Sequence, residues 1–449
     1  MTIIQRFLAT PDREAYFDFL SNIIVMEAYD GSYLHHFERA IAWEPGRPLD
    51  DSATHFRALI KHEVTHFLDM TTTAWGSVYI LRKLRMLRAL QDGGEEFNGA
   101  GKVFALDSSE VELHTVLVQA GEVPPASCDK IHHSLTYRDE FGVCLIVHYF
   151  KDGECHHKVP VSMLSLLEAN ATASEYLSLL QCAESKDDIV ERRLSLEEVE
   201  RKFVTLLNDH GRLEYSVLIH LTRVHFSELG LCDLLRFVAS LARFSLDASA
   251  FATASMANPI QRSFENKRYG DALAMELRRD ASRQLIFFKT VLFMYSWMCE
   301  MEESARAEYL ALVRAEPREA ILRLWMDRFG LATVDDREIQ DGLALNYEEM
   351  MHELGVLRDG EIFGLSSKNN RSVLEKSSAG LLSFRDMKLL NALLNDETEI
   401  AFPNNIGIEV ADYFNQNTKE FSRLDAEYRT MKHERFHMLP GSPGVRALS

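Results

Sequence analysis

Residues 56–70 read FRALIKHEVTHFLDM, and the rest of the chain is best interpreted from this stretch. His62 and His66 are four positions apart, with Glu63 directly after the first. On a helix a four-residue step turns about 400°, so the two imidazoles sit one above the other on one face. That is the spacing in which two side chains on rigid backbone can ligate one zinc ion. Glu63, about 100° around the helix, would lie beside the metal, where a carboxylate can take a proton from activated water. Phe56, Leu59, Ile60 and Phe67 add an apolar stripe, which predicts a buried helix.

The pattern occurs a second time, at His433-Glu434-Arg435-Phe436-His437. There Arg435 would put a cation between the histidines, and Pro440 follows within three residues, so the first match is the metal candidate. His62 and His66 would be ordinary histidines, and Glu63 a solvated charge, if the chain offered no third ligand. It offers two. Residues 164–176, LSLLEANATASEY, read as a helix entered past Pro160, with Ser162 as N-cap. Glu168 and Glu175, seven apart, share a face with only Ala171 and Thr172 between them. A buried carboxylate without compensation is costly, and a metal would satisfy one of the two. The alternative is two solvated acids on an exposed stripe.

Beyond these helices, the 449 residues are 46% hydrophobic and 26% charged, the balance of an ordinary globular protein with two or three domains. The clearest strand signal is Gly142 to Val161, two β-rich runs flanking Asp152-Gly153, a pair that tolerates the positive φ of a tight hairpin. The first arm is apolar on both faces, as in a covered strand. Asn22 to Met26 and Ala40 to Trp43 are weaker strand candidates. Helical patterns then recur at Val199–Leu207 (behind the apparent capping box Ser195–Glu198), Cys232–Phe244, Asp271–Val313, Arg318–Phe329, Tyr347–Leu354, Phe384–Leu394 and from Ile408 to about His437. The polar break at Glu184–Arg193 places the main boundary. The expected class is α+β and predominantly helical: a first domain at 1–185 with a small sheet or hairpin, an all-α domain at 186–440, and a loose tail at 441–449.

An HExxH followed by a glutamate on a later helix resembles the gluzincin metallopeptidases. The wording HEVTHFLDMTTTAWG at 62–76, then a hairpin, then LLEANATASEY at 166–176, is similar to a group of bacterial zincin-like proteins. The resemblance covers about residues 50–185. It implies a zincin-like first domain, a Zn2+ ion held by His62, His66 and Glu168, and Glu63 as general base. Glu175 would be an outer group or an alternative ligand. Two departures stand out. The step from His66 to Glu168 is longer than in the best-known gluzincins. Position 172, four beyond Glu168, is threonine where a histidine-orienting acid is usual. Asp69, one turn past His66, is either that acid or a helix-surface charge.

Other signals are weaker. The adjacent pairs His35-His36, His132-His133 and His156-His157 cannot aim at one point and read as surface or loop. His148 reads as a core histidine or a substrate contact. A peptidase also needs a donor for the tetrahedral oxyanion, for which Tyr137, Tyr149, His148 and His157 are all candidates. The basic run Leu81–Leu90 reads as a solvated helix face. A formal charge of −19 argues against nucleic acid as a partner. Six scattered cysteines without a CxxC pair suit a reducing compartment. Arg6, Asp12, Arg13 and Glu14 interrupt what would be the apolar core of a signal peptide. The apolar stretch Leu285 to Met301 is interrupted by Lys289 and predicts a buried helix rather than a membrane span. The expectation is a cytoplasmic zinc metallopeptidase acting on a peptide or protein, with a regulatory partner on its helical region and no membrane or nucleic-acid partner. The alternative is a zincin-fold interaction protein whose metal is structural or absent.

Overall fold

The computed structural model describes residues 14–18, 21–44, 46–79, 113–139, 141–279, 281–331, 370 and 383–415. The fold is mostly helical α+β, with two small sheets and a helical region that dominates the second half. The His433–His437 motif, the Leu81–Leu90 run and the segment Tyr347–Leu354 lie outside the described residues.

The chain forms two compact units. The first gathers the described residues within 1–108, 170–204 and 346–432. Its sheet has the order β1-β2-β6-β7, where β1 is Tyr16–Asp18, β2 Ile23–Met26, β6 Ala392–Leu394 and β7 Glu399–Ile400. β1 and β2 form an antiparallel pair whose turn carries Asn22 at φ 59°. β6 runs parallel to β2, with Val25 opposite Leu393. The weak strand at 22–26 is therefore real, whereas Ala40–Trp43 closes helix α1 (Leu34–Ala42) rather than forming a strand.

The stretch Phe384–Leu394, expected as a helix, is a short 3-10 turn at Phe384–Asp386 followed by β6. The reason is tertiary. Burial of Ala392, Leu393 and Leu394 against β2 and β7 outweighs a helical apolar period.

Helix α2 spans Asp51–Thr72, and the Asp50 side chain caps it by accepting from Ala53 N–H at 2.9 Å. The sequence suggests one buried stripe, but every residue from Phe56 to Thr72 is buried. Two cations are covered along with it. The Arg57 guanidinium lies over the rings of Trp43 and Phe384 at 4.5 and 4.9 Å and donates to the Ala40 carbonyl at 2.9 Å. Lys61 Nζ lies 5.6 Å from the Phe384 ring. Burial, with Arg57 nearby, pushes the Lys61 amine down to about 7. Phe37, Phe56 and Tyr29 close the N-terminal half, with ring centroids 4.6 to 5.5 Å apart.

The second unit gathers the described residues within 109–169 and 205–331. Its antiparallel sheet runs β3 (Lys130–Arg138), β4 (Gly142–Lys151) and β5 (Glu154–Pro160). The predicted hairpin is β4-β5. Asp152 and Gly153 form its turn at φ 52° and 85°, both in the left-handed region. Val147, Tyr149 and Val159 are fully buried on one face.

Two helices frame the break expected at 184–193: α3 (Met163–Glu184) and α4 (Ile189–Leu207). The helix after the break starts six residues before the apparent Ser195 box. Asp188 caps it, accepting from Val190 and Glu191 N–H at 2.8 and 2.9 Å, so Ser195 is interior.

The remaining helices are α5 (Leu213–His225), α6 (Leu231–Asp247), α7 (Ala250–Arg262), α8 (Lys267–Arg278), α9 (Gln284–Glu300), α10 (Glu303–Ala315) and α11 (Pro317–Arg323). Asp271–Val313, a single helical pattern in sequence, is thus divided among α8, α9 and α10. Buried Arg283 satisfies the carbonyls that end α6, donating to Ser245 and Leu246 at 3.0 Å. The apolar stretch 285–301 is a helix, buried continuously from Leu285 to Val291 and exposed at Tyr295, Ser296, Cys299 and Glu300, and no helix among the described residues is long and apolar enough to cross a membrane.

Candidate metal centre

α2 and α3 carry the centre between them. The division between the units falls at 169/170, inside the unbroken helix α3. Glu168 therefore stands on the same rigid element as Asn170 and Glu175, both of which bond to α2. Ser162 caps α3 as predicted: its Oγ accepts from Ser165 N–H at 3.2 Å, and Ser165 Oγ accepts from Ser162 N–H at 3.4 Å. The small residues Ala169, Ala171 and Ala173 are fully buried, in keeping with a closely approached helix.

His62, His66 and Glu168 form a buried group whose ligand atoms all lie within 4.8 Å of one another, and which could hold a metal ion. None of the three is more than 1% exposed. The Nε2 atoms of His62 and His66 are 3.2 Å apart. Two imidazole nitrogens at about 2.0–2.1 Å from one tetrahedral zinc would be separated by roughly 3.3 Å, so the pair fits such an ion without rearrangement. Their rings stand at 76° with centroids 5.0 Å apart, as the four-residue helical step dictates. Phe17 of β1 has its ring centroid 6.4 Å from that of His66 and 6.5 Å from that of Phe67.

The residues around the group fix its chemistry. Glu175 Oε2 accepts from His62 Nδ1 at 3.0 Å. A proton held on Nδ1 leaves the Nε2 lone pair of His62 facing His66, the tautomer a metal ligand needs. Glu175, seven residues past Glu168, is thus a carboxylate bonded to the His62 ring, at a position where the sequence pattern of the gluzincins has none. Asp69 is not a surface charge. It is fully buried, and both its oxygens accept from Asn170 Nδ2, at 2.9 and 3.0 Å. The Asp69–Asn170 bond clamps α2 to α3 beside the candidate ligands. Glu63 is fully buried one position from His62.

Sequence reasoning missed Asn170, Glu214 and Tyr215. The last two begin α5 and lie close enough to Glu168 to feel its charge. Burial pushes the Glu214 carboxyl up to about 7, with the Glu168 charge adding to the effect. Burial and the same charge hold the Tyr215 phenol well above its ordinary range, so it stays protonated. No spacing rule links α5 to the HExxH helix. The one sequence signal was an acid and a phenol side by side at a helix start.

Of the oxyanion candidates, Tyr149 and His157 are buried within the second unit. His157 accepts from Gly121 N–H at 3.0 Å and donates to the Val123 carbonyl at 2.7 Å. Tyr149 meets the rings of His157 and His220 edge-on at 5.8 and 5.2 Å. His148 bonds to Ser134 at 2.7 Å, and Tyr137 is half-buried on β3. Of the adjacent histidine pairs, His132 and His133 pair with successive residues of β4, opposite His148 and Val147, and so point to opposite faces of the sheet.

Neither a family model, nor a curated protein, nor a solved structure matches this chain.

Proposed function

We propose that the chain is a zinc-dependent peptidase whose centre is built on α2 and α3. His62, His66 and Glu168 would hold a zinc ion, which would supply Lewis-acid activation of a scissile carbonyl and of a water. Glu63 would act as the general base that accepts a proton from the attacking water and the general acid that returns it to the leaving amine. Glu175 keeps the His62 proton on Nδ1, and the Asp69–Asn170 clamp holds the helices at ligating distance. Tyr215, kept protonated by burial and the Glu168 charge, is our candidate donor to the developing oxyanion.

The observation that supports this reading most is the 3.2 Å approach of the two Nε2 atoms, with Glu168 in reach and Glu175 behind His62. The test is hydrolysis of a peptide mixture by zinc-loaded protein and by Glu63→Gln. The expected result is equal zinc in both and a loss of turnover on the order of 10²–10⁴-fold in the variant. Equal turnover would remove Glu63 as the base.

The complete burial of the three ligands and Glu63 favours a second reading, an interaction protein with a structural metal. In that case zinc removal unfolds the protein, no peptide is cleaved, and Glu63→Gln changes neither zinc content nor stability.

A further inference from the structure

A second constellation lies on the three-stranded sheet and has no part in the metal centre. In β4-β5, Tyr149 pairs with His157 but Phe150 pairs with Cys155, so β5 carries one extra residue, His156, at a bulge. Strand alternation without the bulge would put Cys155 on the face of His157 and Tyr149, which is fully buried. The bulge turns Cys155 onto the opposite face, where it is exposed beside His148. Re-aiming a side chain is a recurrent use of such bulges.

On that face Cys155 Sγ lies 3.8 Å from His148 Nδ1, within reach of a sulfur hydrogen bond, and 3.6 Å from the His157 carbonyl. The other ring nitrogen, Nε2, lies 2.7 Å from Ser134 Oγ on β3. With the ring proton on Nε2, donated to Ser134, the Nδ1 lone pair faces the thiol. A nucleophile, a base and a group that orients the base are then in line. Lys158 stands opposite His148 in the ladder, a cation on this face for an acidic reactant.

We propose that Cys155 is a reversible modification site. His148 and Ser134 activate its thiol for exchange with a low-molecular-weight disulfide of acidic character. His148 Nδ1 takes the thiol proton, and the Cys155 thiolate attacks one sulfur of the incoming disulfide. The new Cys155 S–S bond forms as the old S–S bond breaks. The departing thiolate takes up the proton from His148. Cys155 is oxidised to a mixed disulfide and the departing half is reduced to a thiol, so no further oxidant is needed. Burial, with Lys158 and His132 adding to it, holds the His148 ring below its ordinary range, so it is neutral and can accept the proton at neutral pH.

The test uses the full-length, fully reduced protein and glutathione disulfide at about pH 7.5, with adducts located by peptide mass. Cys232 and Cys299, the other exposed thiols, are internal references, and buried Cys128, Cys144 and Cys182 report on folding. Cys155 is expected to react about tenfold faster than either reference, and His148→Gln to remove that advantage without changing the references. Ser134→Ala, an exposed substitution on the same pair, should slow Cys155 alone by a smaller factor and decides the matter if the His148 variant unmasks buried thiols. Equal rates at the three exposed thiols, or a Cys155 rate indifferent to both substitutions, would overturn the proposal.

Discussion

Glu175 Oε2 stands 3.0 Å from Nδ1 of His62, two helical turns beyond Glu168 on the same helix. An outer carboxylate on a ligand imidazole fixes its tautomer and raises its basicity, and losing one typically weakens metal binding about 10–100-fold. Glu175→Ala is therefore expected to weaken zinc affinity by that factor in a chelator competition. Its side chain is 27% exposed, so thermal stability of the metal-free protein should change little. Unaltered affinity would separate Glu175 from the centre.

The Asp69–Asn170 clamp carries a stability prediction. Both residues are buried and the amide donates to both carboxylate oxygens. Asn170→Ala should cost about 1–3 kcal/mol in urea denaturation, because the carboxylate loses a donor where water does not replace it. A double-mutant cycle with Asp69→Ala should show strong coupling, and simple additivity would mean the contact contributes nothing.

The hairpin turn isolates a backbone effect. Gly153 has φ 85°, and a Cβ built there meets nothing within 4 Å. Gly153→Ala therefore introduces conformational strain without a clash and should destabilise by about 1 kcal/mol, whereas Gly153→Asn, which tolerates that region, should cost less.

Acid stability should depend on His220. Burial pushes this ring down to about 3, against an ordinary value of 6.5. A depressed folded-state pKa means the neutral ring's contribution is intact above about 6.5 and is lost as the pH falls from there toward about 3, because the unfolded chain binds the proton first. In that window one such group gives a slope of about 1.4 kcal/mol per pH unit. His220→Phe should remove that slope whatever it does to stability at neutral pH, and an unchanged slope would assign the acid lability to other groups, buried His114 among them.

Much of the centre was legible because its parts are local. The four-residue step of His62 and His66 and the seven-residue step of Glu168 and Glu175 each define a helix face without tertiary information. Which acid does what was not legible, since it depends on how far apart the two helices settle and how far along each other they slide. Asp69 shows the same limit. Seven positions from His62, it shares that residue's face, yet only the approach of Asn170 distinguishes a clamp from a surface charge. Elsewhere local patterns gave way to long-range pairing. Phe384–Leu394 has a helical apolar period, but β2, more than 360 residues earlier, takes Leu393 and Leu394 into a sheet. Ser195–Glu198 has the form of a cap, but Asp188 starts the helix first. Asp188→Ala should accordingly cost about 1 kcal/mol and Ser195→Ala close to nothing, measured by urea denaturation.

The most direct test of the centre is zinc content per chain after purification and zinc loading, measured for the natural sequence, His66→Ala and Glu168→Ala. Close to one zinc in the natural sequence, lost from His66→Ala and lost or greatly weakened in Glu168→Ala, is the expected result. No zinc in the natural sequence, or the same zinc content in all three proteins, would contradict a metal centre at His62, His66 and Glu168.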